Sequence, residues 1–296
     1  MGSGPGEGHA PGQQERPKDA MNYGRWASRG IILALLVLVA GCSGAKEPPV
    51  ESRTPQEIYL DAEALLESGK PRQAAELFAE VERLYPYSEW AKRSMLMSAY
   101  AYHQAGRHEE SRAAANRFLD FFPADEDAPY AQYLVALSYY DQIVDVGRDQ
   151  ENTLEALQEL RDIIERYPDS EWAASAKMKF DLALDHLAGK EMEIGRYYLA
   201  RGHYTAAINR FRVVVQDYQT TTHTPEALHR LVEAYLSLGL DAEAQTAAAI
   251  LGHNFRGTRW YQDSYALLTG QGLRPEDAGG GWLSQIYRQV VLGHWR

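Results

Sequence analysis

The chain has 296 residues, 45% of them apolar and 24% charged, which is ordinary globular material with enough apolar side chains for a sizeable core. Residues 1–41 hold four basic and three acidic side chains, so the remainder carries 26 basic against 38 acidic, a net of about −12. An acidic chain with no strongly basic stripe and no nucleic-acid motif is not one that binds DNA or RNA through phosphates, and a single cysteine, Cys42, excludes an internal disulfide.

Residues 1–20 contain five Gly and three Pro without an apolar period. They are expected to be a disordered extension or to lie upstream of the true start, for which Met21 is the better candidate. Arg25 and Arg29 then flank a ten-residue apolar run, Ile31 to Ala40. A bilayer span needs about 20 such residues, so a shorter run behind a basic flank marks a secretory signal peptide over 21–41. Val39-Ala40-Gly41-Cys42 resembles a bacterial lipobox. The resemblance implies that Cys42 becomes a multiply acylated N-terminus, and at ~0.8 kcal/mol per buried CH₂ such an anchor is stable without a helix. Ser43 beside it is similar to the sorting pattern for the outer membrane. Residues 42–53, with Pro48 and Pro49, form a lipidated tether with a reach of roughly 15 to 20 Å.

Thr54-Pro55-Gln56-Glu57 opens the first helix, with Thr54 as cap, Pro55 in the first turn and Glu57 where a capping box wants it; Thr224-Pro225 is expected to open a later one in the same way. Beyond it a six-residue punctuation recurs: Tyr85-Pro86-Tyr87-Ser88-Glu89-Trp90 and Tyr167-Pro168-Asp169-Ser170-Glu171-Trp172. Weaker echoes stand at Phe122-Pro123-Ala124-Asp125, Tyr218-Gln219-Thr220-Thr221 and Phe255-Arg256-Gly257-Thr258-Arg259-Trp260. Proline ends one helix and the following hydroxyl caps the next. Small residues fall between the echoes where paired helices touch: Ala62, Gly69 and Ala74; Ala99 and Gly106; Gly195, Gly202 and Ala207; Gly239 and Ala244. This spacing resembles the tetratricopeptide repeat, which implies an all-α solenoid of about five helix-turn-helix units. Pro86 and Pro123 lie 37 residues apart and Pro123 and Pro168 lie 45 apart, so a lengthened polar turn, Asp145 to Asn152, belongs inside the third unit. Units one to three occupy 54–169 and units four and five occupy 170–268, beginning with a long helix over Ser170–Arg201. A Gly-rich linker, 269–281, leads to an amphipathic helix over 282–296. Its stripe of Trp282, Leu283, Ile286, Tyr287, Val290 and Val291 fits a partner, a membrane surface or the last repeat.

Chemistry is scarce. No metalloprotease, dinucleotide-binding, phosphate-loop or nucleophile-elbow pattern occurs, so no cofactor, no metal and no enzymatic activity are expected. His229 and Glu233, one turn apart, read as a solvated helix face rather than a metal pair. The repeat register assigns Tyr59, Tyr100, Tyr130, Tyr133 and Tyr140 to the concave face of units one to three, where rigid rings suit an extended apolar peptide; the same rings also fit packing between neighbouring helices.

The lipobox, the Pro-containing tether, Glu57-Ile58-Tyr59, Arg72-Gln73-Ala74, Arg83-Leu84-Tyr85-Pro86 and Gly195-Arg196-Tyr197-Tyr198 through Asn209-Arg210 together resemble the BamD family, over residues 42 to 260. The resemblance implies a lipoprotein of the outer-membrane β-barrel assembly machine, facing the periplasm. Its N-terminal half would receive the aromatic-ending segments of unfolded outer-membrane proteins. Its C-terminal half, with Asn209 and Arg210, would dock the periplasmic domains of the BamA-like barrel-forming subunit, beside other assembly lipoproteins. A pilotin for secretins and a cell-wall scaffold are the other repeat lipoproteins that fit, and copurification with a barrel-assembly subunit, a secretin or a murein synthase separates the three.

Overall fold

The computed structural model describes residues 49–145, 147–276 and 281–290, and every regular element in them is helical. The signal peptide, Cys42 and the start of the tether lie outside the described residues, as does Val291. A 3-10 turn, Val50–Ser52, comes first. The helical array starts at Thr54 and is a unit separate from the residues before it. Its helices are α1 Pro55–Glu67, α2 Pro71–Leu84, α3 Glu89–Gln104, α4 His108–Phe121, α5 Ala128–Tyr140 and α6 Glu151–Arg166. They continue as α7 Glu171–Ala200, α8 Tyr204–Asp217, α9 Thr224–Ser237, α10 Asp241–Asn254, α11 Arg259–Gly270 and α12 Gly281–Val290. Consecutive pairs from α1/α2 to α9/α10 make the five expected helix-turn-helix units.

The ends of these helices follow from local chemistry. Thr54 Oγ1 accepts from the Glu57 amide at 3.3 Å while Glu57 accepts from the Thr54 amide at 2.8 Å, a capping box worth about 1 kcal/mol. Ser88 and Thr258 cap α3 and α11 through the amides of Ala91 and Tyr261. Two expected caps are corrected. Ser170 occupies the capping position of α7 but makes no cap bond. Thr224 lies inside α9, because His223 already has helical dihedrals; its hydroxyl donates instead toward the carbonyls of Tyr218 and Gln219, at 3.0 and 3.1 Å.

The turn within a unit is also built from one device. In α1 the Gly69 amide donates to the Leu66 carbonyl and the Lys70 amide to the Leu65 carbonyl, with Gly69 at φ 73°, a left-handed conformation open to glycine. The same pair of bonds closes α3, α7 and α9 around Gly106, Gly202 and Gly239, and it closes α11 around Gly272. By this signature α11 is the first helix of a sixth unit. Only the third unit departs from it: residues 141–150 form the lengthened connection, tied to α7 by a 2.8 Å bond from Lys190 Nζ to the Arg148 carbonyl.

First helices α1, α3, α5, α7, α9 and α11 each touch the next first helix, whereas α2, α4, α6, α8 and α10 make no comparable contacts with one another. The first helices are therefore the inner layer. The 30-residue α7 serves successive cores along its length, with Ala183 and Leu187 at Leu157 of α6 between the two ends. Ala176 packs with Tyr133, Leu160 and Ile163 of the third unit, and Ala188 and Met192 pack with Phe211, Val214 and Leu228 of the fourth and fifth.

The amphipathic helix α12 packs back on the last units. Leu283 and Ile286 are buried in the core that α8, α9 and α10 build, Trp282 Nε1 donates to the Tyr235 hydroxyl at 3.2 Å, and the Arg212 guanidinium stands 5.0 Å from the Trp282 ring. Among the described residues no helix is long and apolar enough to cross a membrane.

Candidate functional site

The inner layer is stapled by the tryptophan that closes the six-residue echo. Trp90, second residue of α3, lies 5.0 Å from the Tyr59 ring of α1. Trp172, second residue of α7, lies 4.5 and 5.1 Å from Tyr130 and Tyr133 of α5, and Trp260, second residue of α11, lies 5.3 Å from His229 of α9. In α5 and α9 that second residue is a proline, Pro129 or Pro225. Tyr59 and Tyr133 are thus core residues, 8% and 7% exposed, the first wedged between Phe78 and Trp90. The register assigned them to the concave face, but the neighbouring tryptophan covers them, so neither ring is an open surface. Tyr100, Tyr130 and Tyr140 remain half-buried. Burial pushes the Tyr130 hydroxyl up to about 12, with Tyr100 and Tyr133 adding to the effect. Burial likewise raises Tyr140, helped by the Asp141 carboxylate.

Cations on the inner layer fall into two kinds. Arg196 and Arg230, in units four and five, are neutralised by carboxylates. Arg196 pairs with Glu226 at 3.1 Å, and Arg230 pairs with Glu226 at 3.3 Å and with Glu233 at 2.8 Å. Burial pushes the Glu233 carboxyl up, but hydrogen bonds from His229 and Arg230 outweigh it and hold the group below its ordinary range. His229 is not the solvated residue expected: it is 4% exposed, with Nδ1 2.8 Å from the Ser264 hydroxyl and Nε2 3.5 Å from Glu233. In units two to four, by contrast, the Arg93 guanidinium stands 5.5 Å from the Trp90 ring and Lys179 Nζ stands 4.5 Å from the Tyr140 ring, and neither pairs with a carboxylate among the described residues.

Asn209 is exposed on α8 and Arg210 is half-buried beside it, its Nη1 3.1 Å from Glu191 of α7. Among the described residues no group of three or more His, Cys, Asp or Glu side chains is placed to hold a metal ion.

A family model described as an outer membrane lipoprotein, YfiO, matches residues 51–250. The outer membrane protein assembly factor BamD of Caulobacter vibrioides is 50% identical over 249 residues, which are 82% of this chain and 82% of that protein. The chain belongs to the BamD family. The BamD of Rickettsia prowazekii is 40% identical over 80% of this chain and 96% of its own length, and that of Neisseria meningitidis serogroup A is 32% identical over 68% and 79%. The family model runs from the 3-10 turn into α10, so α11 and α12 lie beyond it.

For a BamD-family chain, the residues that sequence reasoning passed over are the three tryptophans and the ring-seated cations Arg93 and Lys179. The signal for the tryptophans was present: proline and a hydroxyl are enough to end one helix and start another, so an aromatic kept at the sixth position in three of five echoes has a separate task.

Proposed function

We propose that this chain is the BamD-type lipoprotein of an outer-membrane β-barrel assembly machine, a non-enzymatic scaffold anchored through Cys42 and facing the periplasm. The inner face of units one to three receives the C-terminal, aromatic-ending segments of unfolded barrel proteins. Units four and five dock the periplasmic domains of the BamA-like subunit, with Asn209 and Arg210 at that face. Arginine suits such a contact because its planar fork pairs bidentately with a carboxylate; Glu191 engages one nitrogen of Arg210 and leaves the others. The observation that carries the reading is membership of the family together with half-buried tyrosines on α3 and α5, Tyr100, Tyr130 and Tyr140, with Trp172 beside Tyr130.

The test pairs two alanine variants, each measured for melting temperature and for affinity toward a synthetic barrel C-terminal peptide. Tyr100→Ala is expected to keep its melting temperature and lose more than ~1 kcal/mol of binding. Tyr59→Ala, packed between Phe78 and Trp90, is expected to lose roughly 3 kcal/mol of stability through cavity formation. The reverse pattern would remove the peptide site from this face. For the anchor, Cys42→Ser is expected to leave the protein uncleaved or in the soluble fraction, and mass spectrometry of the N-terminal peptide of the wild type should find acyl chains on Cys42. An unmodified Cys42 in a chain cut elsewhere would overturn the lipoprotein reading.

A further inference from the structure

We propose that Arg93 takes the chain-terminal carboxylate of the peptide that docks on units one to three, an inference that rests on reading this face as a peptide site. Charge placement is what points to it. Across units four and five every guanidinium of the inner layer named above is already satisfied by Glu226 or Glu233, so an incoming anion would have to break a pair. Arg93 has no such pair among the described residues and is exposed, its guanidinium lying over the Trp90 ring. Glu63, which acts on the same Tyr59 hydroxyl as Arg93, is engaged by that hydroxyl, whose pKa is raised by burial and then by the carboxylate, while Arg93 acts on it in the opposite sense. A guanidinium seated on an aromatic face keeps its charge while shedding part of its hydration, so an arriving carboxylate displaces less water and meets two parallel N–H donors.

Position fits as well. Arg93 and Tyr100 are seven residues apart on α3 and share one face of it, at a separation of about 10 Å along the axis. An extended peptide covers that distance in about three residues. A carboxylate on Arg93 therefore leaves an upstream side chain over Tyr100 and the adjacent Tyr130. Lys179, over the Tyr140 ring, is a compact charge without a fork and does not fix the direction of a carboxylate. Asp141, the acid beside Tyr140, has its Oδ2 2.9 Å from His103 Nε2.

The experiment uses the mature full-length chain and one synthetic peptide, the last ten residues of an outer-membrane barrel, made as the free acid and as the C-terminal amide. Fluorescence anisotropy at physiological salt gives the ratio of their affinities. Wild type is expected to prefer the acid by about tenfold, the scale of one charge-assisted hydrogen-bond pair. Arg93→Gln should reduce that ratio to near one without weakening the amide, Arg93→Lys should restore part of it, and Lys179→Gln should leave it unchanged. Equal binding of acid and amide by wild type overturns the carboxylate assignment while the peptide face stands. A preference that survives Arg93→Gln, or disappears in Lys179→Gln, also overturns it. Failure of wild type to bind either peptide overturns the peptide face itself, and the assignment with it.

Discussion

Gly195→Ala is expected to lower the stability of the array by about 1 to 3 kcal/mol, and by more if the backbone has to separate. A Cβ at that position would stand 2.4 Å from Cε1 of Phe211 and 2.8 Å from Cδ1 and Cζ of the same ring. Phe211 is fully buried in the core shared by α7, α8 and α9, so the ring has no open side to retreat to. The glycine is therefore required by the approach of α7 to α8 and not by backbone freedom, since it sits inside a continuous helix. Thermal melting followed by circular dichroism measures the loss. The double variant Gly195→Ala with Phe211→Leu should regain part of it, because the smaller side chain vacates the volume the new methyl needs. A single variant that melts with the wild type would mean that the two helices can move apart at no cost.

Trp172→Ala should cost a comparable amount, about 3 kcal/mol, by removing the staple between the third unit and α7. Its ring packs against both Tyr130 and Tyr133, and Ala176 one turn later is the next residue of α7 in that core. In an array where each unit contacts only its neighbours, the loss is local to one interface. Amide exchange should accordingly rise in α5, α6 and the first half of α7 and stay unchanged in α9 and α10. The pair Tyr133→Ala and Trp172→Ala should be less than additive, by about 0.5 to 1.5 kcal/mol, as aromatic partners are. Full additivity would show that the two rings do not support one another.

What could be read from the chain in advance was whatever depends on a few adjacent residues. Thr54 with Glu57, the prolines that follow α2, α4 and α6, and the glycines that close α1, α3, α7 and α9 each do their work within one turn of backbone. The lengthened connection at 141–150 was visible as a surplus in proline spacing. Contacts across units were not legible in the same way. Tyr59 lies ten residues before its closing glycine, Gly69, and Tyr100 six before Gly106, and only Tyr59 lies beside the tryptophan that opens the next first helix, Trp90. His229 looked solvent-facing until Ser264 and Trp260, more than 30 residues away, closed over it. The stripe on α12 fitted three partners equally until its burial against α8 to α10 chose one.

The unbroken course of α7 has a mechanical consequence. At 1.5 Å per residue its 30 residues make a bar about 45 Å long, embedded at one end in the core of the third unit and at the other in that of the fourth and fifth. The loop between the third and fourth units, residues 167–170, comes before α7, and the span that links the two cores is continuous helix. Bending the two ends against each other would require breaking helical hydrogen bonds in mid-span, so a force applied at the third unit arrives at the fifth as torque and tilt.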